Sequence, residues 1–162
     1  MGSNIEKKIY VFKKMPLFET FSEKDYHFLA EITKVRKFPG GEVILEEDEN
    51  QKDFYIVATG KIEIGKKMQN DEYKRIAVLS MGDFFGEMSL IDGGRTSARA
   101  KTLNKSVLLV IRQKAFQYIM KNKPDFAFKI TYQIAKLLSR RLRKINAKYS
   151  FVSYVHQKML EK

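Results

Sequence analysis

The chain has 162 residues, no cysteine and 44% apolar residues, which fits one domain with an appended helix and excludes disordered, collagen-like and disulfide-stapled classes. Its net charge is +12, from 31 basic and 19 acidic residues, and this raises nucleic acid, anionic membrane surfaces and small phosphorylated ligands as partners. No apolar run approaches the roughly 18 residues that a transmembrane helix needs.

The first eight residues lack the apolar core of a signal peptide, and Gly2-Ser3 reads as a cloning scar. Together with the missing cysteines this suits a reducing, cytoplasmic setting. Residues 1 to about 40 read as helical. Ile5, Ile9 and Phe12 fall at helical spacing, Met15-Pro16-Leu17-Phe18 interrupts, and Ser22 with Asp25 forms a capping box ahead of the stripe Tyr26, Leu29, Ala30 and Ile32. Phe38-Pro39-Gly40-Gly41 closes the segment.

Strands follow. Val43–Leu45, Phe54–Val57, Lys61–Ile64, Ile76–Leu79 and Ser106–Ile111 are short and rich in β-branched or aromatic residues. Polar turns separate them at Asp48–Gln51 and Met68–Asp71. The spacing leaves no room for crossover helices, so the sheet is predicted to be antiparallel and closed or doubled. Gln113–Lys121 is an amphipathic helix, and Pro124 restarts a second one. From Asp125 to about Lys162 nothing breaks the pattern. Ala135, Leu138, Leu142, Ile145, Tyr149, Val152, His156 and Met159 recur at steps of three and four, as in a coiled-coil seam. Phe126 to Leu160 contains no acidic residue.

No catalytic constellation emerges. His27 and His156 lie in helical patterns without converging ligands, and no metal site is predicted. No Walker loop, dinucleotide fingerprint or nucleophile elbow is present.

Residues 82–98, Gly82-Asp83-Phe84-Phe85-Gly86-Glu87-Met88-Ser89-Leu90-Ile91-Asp92-Gly93-Gly94-Arg95-Thr96-Ser97-Ala98, carry a more specific signal. The stretch resembles the phosphate-binding cassette of the cyclic-nucleotide-binding domain family, found in catabolite-activator-type regulators, kinase regulatory subunits and nucleotide-gated channels. Pro39-Gly40-Gly41-Glu42-Val43-Ile44, Asp53–Val57 followed by Gly60-Lys61-Ile62, and Met15–Phe18 followed by Ser22 match the same family in order, over residues 5 to 150. The resemblance implies an α+β, mainly β fold: an antiparallel double-stranded β-helix, or jelly-roll barrel, with N-terminal helices and a long C-terminal helix. It divides the chain into 1–35, 36–112 and 113–162.

The physics of the cassette agrees with that resemblance. Gly86 lets the backbone approach a ligand closely. Glu87 is an acceptor suited to a ribose 2′-hydroxyl. Met88 to Ile91 form a helical turn, and Gly93-Gly94 a tight turn. The resemblance adds Phe85, Met88, Thr96, Ser97 and Ile76 to the ligand-binding set. It maps Arg141 to a position that pairs with the cassette glutamate, and Ile145 and Asn146 to a base-facing turn.

Two departures stand out. The loop at Asp48–Gln51 lacks the family's usual glycine, and Asp and Asn, which tolerate left-handed backbone, take its place. In addition, the ungapped count from Glu87 puts Arg95 on the family's proline position and Thr96 on its phosphate-binding arginine position. That register turns Thr96, Ala98 and Ala100 inward and Arg95, Ser97 and Arg99 outward, because a one-residue offset moves a side chain about 3.3 Å and flips its face. Either the arginine is missing, or a bulge near Thr96 returns Arg95 to the pocket; we expect the bulge.

The resulting expectation is a non-catalytic sensor for cyclic AMP or cyclic GMP that dimerises in parallel through its C-terminal helix. The same fold used as a protein–protein dimer module or as a sensor of another ligand is an alternative, as is a basic helix that binds nucleic acid or an anionic surface. About a dozen residues follow Ser150, too few for a DNA-reading domain in this chain.

Overall fold

The computed structural model describes residues 4–160; Gly2-Ser3 and the last two positions of the predicted C-terminal helix lie outside the described residues. Helix α1 (Asn4–Phe12) leads through a 3-10 turn at Pro16–Phe18 into α2 (Glu23–Ile32). Ser22 caps α2, and the reciprocal bonds with Asp25 are both present. The segment read as helical up to residue 40 then becomes β1 (Thr33–Phe38) with no turn between helix and strand. Only Thr33 and Phe38 of β1 are buried, so its sequence shows neither clean alternation nor an apolar run.

Seven more strands complete the barrel: β2 (Val43–Leu45), β3 (Phe54–Thr59), β4 (Ile62–Lys67), β5 (Tyr73–Leu79), β6 (Phe84–Phe85), β7 (Arg99–Thr102) and β8 (Ser106–Ile111). A short helix α3 (Glu87–Asp92) sits between β6 and β7. They form two four-stranded sheets, ordered β1-β8-β3-β6 and β2-β7-β4-β5, with every pairing antiparallel. This is the expected jelly roll.

Two apolar clusters explain why β3 and β8 read as unbroken apolar runs. Tyr55, Val57, Leu108 and Val110 point into the barrel with Phe38, Leu45, Ile62, Phe85 and Ala100. Phe54, Ile56, Leu109 and Ile111 point outward and are covered by the helices. A strand buried on both faces has no polar side to alternate with.

The helical cover is largely aromatic. Phe12, Phe18, Phe21, Phe126 and Phe28 meet edge to face in sequence, with ring centroids 4.9 to 5.3 Å apart. Phe28 and Phe126 belong to this layer, the latter on the last helix. Helix α4 (Gln113–Asn122) follows the barrel, and α5 (Pro124–Leu160) is one uninterrupted helix of 37 residues. Its first half is docked: Phe126, Ala127, Ile130, Gln133 and Ile134 are buried. Lys129 bridges to Asp25 at 2.6 Å, Gln133 donates to Thr20 at 2.9 Å and Lys136 to Glu19 at 2.8 Å. Beyond Arg141 every described residue of α5 is exposed. Among the described residues no helix is long and apolar enough to cross a membrane.

Candidate functional site

The cassette is built from β6, α3 and the loop that leads to β7. Phe84 and Phe85 pair with Ile56 and Tyr55, which places the end of β6 against the middle of the barrel. The Phe85 ring stacks on Tyr55 at 4.9 Å, nearly parallel. Burial pushes the Tyr55 phenol up to about 12. Gly86 follows in the left-handed region, with φ of 82°. The glycine is needed for a reason other than the expected one. A Cβ there would lie 2.4 Å from the Asp53 carbonyl oxygen, so the close approach is to the protein's own backbone.

This turn carries Glu87 into the interior. Its residue exposure is 7%, and among the described residues no other side chain hydrogen-bonds its carboxylate. Burial raises its pKa; its own backbone amide and the charge of Arg141 pull it back in part. A buried carboxylate with free lone pairs is a strong acceptor waiting for hydroxyl donors. Met88 is half exposed, and Gly93 ends α3 with φ of 73°.

Thr96 is buried and faces inward, as the ungapped count requires; Arg95 is exposed. The expected bulge at Thr96 is absent. Four bonds hold the register: the Asp48 amide to the Thr96 carbonyl, the Thr96 amide to the Glu49 carbonyl, the Glu49 amide to the Thr96 hydroxyl, and that hydroxyl to the Glu46 carbonyl. Slipping Arg95 inward would break all of them. Arg95 instead donates Nε to the carbonyl and carboxylate of Asp48, at 2.6 and 2.7 Å. Asp48 is the residue that replaces the missing loop glycine, and its φ is 63°, in the left-handed region as anticipated. The two departures in sequence are therefore one structural feature: the left-handed aspartate accepts the outward arginine.

The remaining expected site residues divide. Ser97 is exposed and donates to the Met88 sulfur at 3.5 Å. Ile76 is 59% exposed on β5, beside the irregularity in the pairing with β4. Ala77, paired with Ile64, is also exposed.

Arg141 reaches the cassette but does not bond Glu87. It donates to the Phe84 carbonyl at 3.2 Å, lies 3.5 Å from the Asp83 carboxylate, and stacks 4.2 Å from the Phe84 ring centre. Ile145 and Asn146 are exposed on the projecting part of α5 and are not brought to the cassette. The expected pairing of Arg141 with Glu87 is replaced by contacts with Phe84 and Asp83, and the uninterrupted helix carries Ile145 and Asn146 away from the barrel. Sequence reasoning did not anticipate Asp83, Phe84 and Tyr55; the aromatic pair Phe84-Phe85 beside Gly86 was the available signal.

A shallow groove of about 450 Å³ lies elsewhere, between α3, α4 and α5, lined by Leu90, Ile91, Phe116 and Met120 among others. It contains no carboxylate, and its mainly apolar lining also includes Gln117, Lys121 and Thr131.

The chain is thus a jelly roll with a short helix inserted after β6, a buried glutamate at that helix's start and a long terminal helix. A sequence model of the cyclic nucleotide-binding domain matches residues 35–123. The chain belongs to that family. It is 28% identical over 88% of its length to the Cyclic AMP receptor protein of Thermus thermophilus, covering 64% of that protein. Among solved structures, the Thermus thermophilus Catabolite Activator Protein superposes with a TM-score of 0.73 at 27% identity, over 85% of this chain and 63% of that one. A cyclic nucleotide-binding domain from Methylobacillus flagellatus superposes with a TM-score of 0.76 at 25% identity, over 86% and 79%. This chain thus spans less than two thirds of the length of the first of these relatives.

Proposed function

We propose that the chain is a non-catalytic, cytoplasmic regulatory module whose barrel takes a ligand of the cyclic-mononucleotide kind by its ribose and signals occupancy through α5. Burial of Glu87 carries this reading. An ionisable group pushed into the interior and left without a side-chain partner costs stability, and ligand hydroxyls would offset that cost. Ile76 and Ala77, exposed on β5, mark the edge at which the ligand would enter. Arg141 supplies the link: it ties the start of the projecting half of α5 to Asp83 and Phe84, immediately before Gly86-Glu87. A ligand that moves this turn biases the position of α5, which is a population shift between helix positions.

The exposed apolar positions of α5 favour a second copy of the chain as its cover. Leu142, Ile145, Tyr149, Val152 and Met159 lie at seam spacing and are 55 to 73% exposed. The test of the ribose contact is calorimetric titration with cyclic AMP and cyclic GMP. Glu87→Ala loses a charged-acceptor bond of roughly 1.5–3 kcal/mol, a ten- to hundredfold loss of affinity. Equal affinity in parent and variant would overturn the assignment.

A further inference from the structure

We infer that the ligand this cassette prefers is an uncharged ribonucleoside, held by ribose and base, over the cyclic monophosphate of the same nucleoside. The inference rests on the ribose reading of Glu87 and adds what lies on the other side of the site.

A cyclic phosphate carries a full negative charge, and a pocket that binds it must supply a cation or several free donors. The inward position after Gly93-Gly94 is Thr96, which is neutral and 6% exposed. Its hydroxyl is already used twice, accepting from the Glu49 amide and donating to the Glu46 carbonyl. It has no proton left for a phosphate oxygen.

Four cations on the cassette loop, its neighbouring strands and α5 are already engaged within the protein. Arg95 is held outside by Asp48. Arg99 stacks 3.6 Å from the Tyr73 ring centre. Lys66 donates to the Ser97 carbonyl and bridges to Glu47. Arg141 faces Phe84 and Asp83.

The start of α3 adds no cation. That helix has six residues, and the carboxylate of Glu87 in its first turn already takes its own backbone amide. The buried groups of the cassette that can ionise, Glu87 and Tyr55, can become anions and never cations. A phosphate brought beside an ionised Glu87 in a low-dielectric interior would be repelled, and the cation whose charge reaches Glu87, Arg141, is already turned to Phe84 and Asp83. Ribose hydroxyls carry no such penalty: they are neutral and donate to the carboxylate.

The experiment is a set of calorimetric titrations of the 162-residue protein with adenosine, guanosine, cyclic AMP and cyclic GMP. The expected result is that at least one nucleoside binds ten- to hundredfold more tightly than its own cyclic monophosphate. Thr96→Arg, which restores a guanidinium at the inward position, is expected to reverse that order. If the variant does not fold, the ratio in the parent still decides. A cyclic monophosphate that binds the parent as tightly as its nucleoside, or more tightly, overturns this inference and leaves the ribose reading intact. If none of the four binds at millimolar concentration, the ribose reading fails and this inference fails with it. A nucleoside preference that persists unchanged in a folded Thr96→Arg also overturns it, because the discrimination would not arise at that position.

Discussion

The two halves of α5 have the same covalent continuity and opposite surroundings. From Pro124 to about Leu138 the helix buries Phe126, Ala127, Ile130 and Ile134 against the aromatic layer over β3 and β8. From Leu142 onward similar side chains at similar spacing are exposed. Apolar periodicity shows that a helix has something to bury, but it does not show what covers it. The docked half is distinguished by its polar partners: Lys129, Gln133 and Lys136 each find an acceptor on the N-terminal segment. In the projecting half, Arg143, Lys144 and Lys148 are exposed.

The largest effect should come from truncating the docked half. Phe126→Ala removes a buried ring that contacts Phe21 and Phe28 and should cost about 3–5 kcal/mol. Phe151→Ala, which removes a 68% exposed ring, should change the stability of the isolated protomer by less than ~0.5 kcal/mol. Denaturant titration at low protein concentration compares them directly, and similar losses at both sites would erase the distinction.

Self-association should respond in the opposite way. Leu142→Asp with Ile145→Asp should leave protomer unfolding nearly unchanged and abolish a parallel dimer through the projecting half. Light scattering at two salt concentrations checks this. Basic flanks repel less as salt rises, so the parent should associate more tightly at high salt. A parent that stays monomeric at both concentrations removes the dimer proposal.

Glu87 gives a pH test at the junction between barrel and helix. Its folded pKa is raised, chiefly by burial. Its contribution is fully present below the unfolded carboxylate value and is lost as pH rises through the folded one. Glu87→Gln should therefore gain stability relative to the parent above that window and flatten the profile within it, as read by urea denaturation at a series of pH values. A parent and variant that run parallel across the window would place the carboxylate in water.

The smallest effects separate two arginines. Arg141→Ala loses a backbone acceptor and a ring contact and should cost about 1 kcal/mol, with faster amide exchange at the start of the projecting half. Arg95→Ala removes an exposed ion pair and should cost less than ~0.5 kcal/mol. It should leave ligand affinity unchanged, since the side chain points away from the cassette interior.

Much of this architecture was legible because local chemistry and fold agree. The segments at Val43–Leu45 and Ser106–Ile111 emerged with the predicted bounds, and the Ser22–Asp25 box starts α2 as its spacing requires. Strand β1 escaped detection because Lys34, Val35, Arg36 and Lys37 are all exposed and no turn residue marks the change from helix to strand. The cassette was recognisable from Gly86-Glu87 and its flanks. The orientation of Arg95 was not settled in advance, because glycines preceding it would permit a bulge and only the bonds from Glu46, Asp48 and Glu49 decide against one. Those partners lie 47 to 50 residues earlier in the chain, beyond any local pattern. The contact of Arg141 with Phe84 is likewise a meeting of residues 57 apart.

Because α5 is rigid and anchored at one end, it converts angle into distance. From Arg141 to Leu160 it extends roughly 28 Å at 1.5 Å per residue. A tilt of about 5° at its base, the scale of a side-chain rearrangement at Phe84, would carry the tip through roughly 2–3 Å over that length. That displacement is comparable to half a helical turn, enough to take interdigitated side chains out of register with a partner. The length of the unsupported segment therefore sets the gain with which a small movement at the barrel is read at the far end of the molecule.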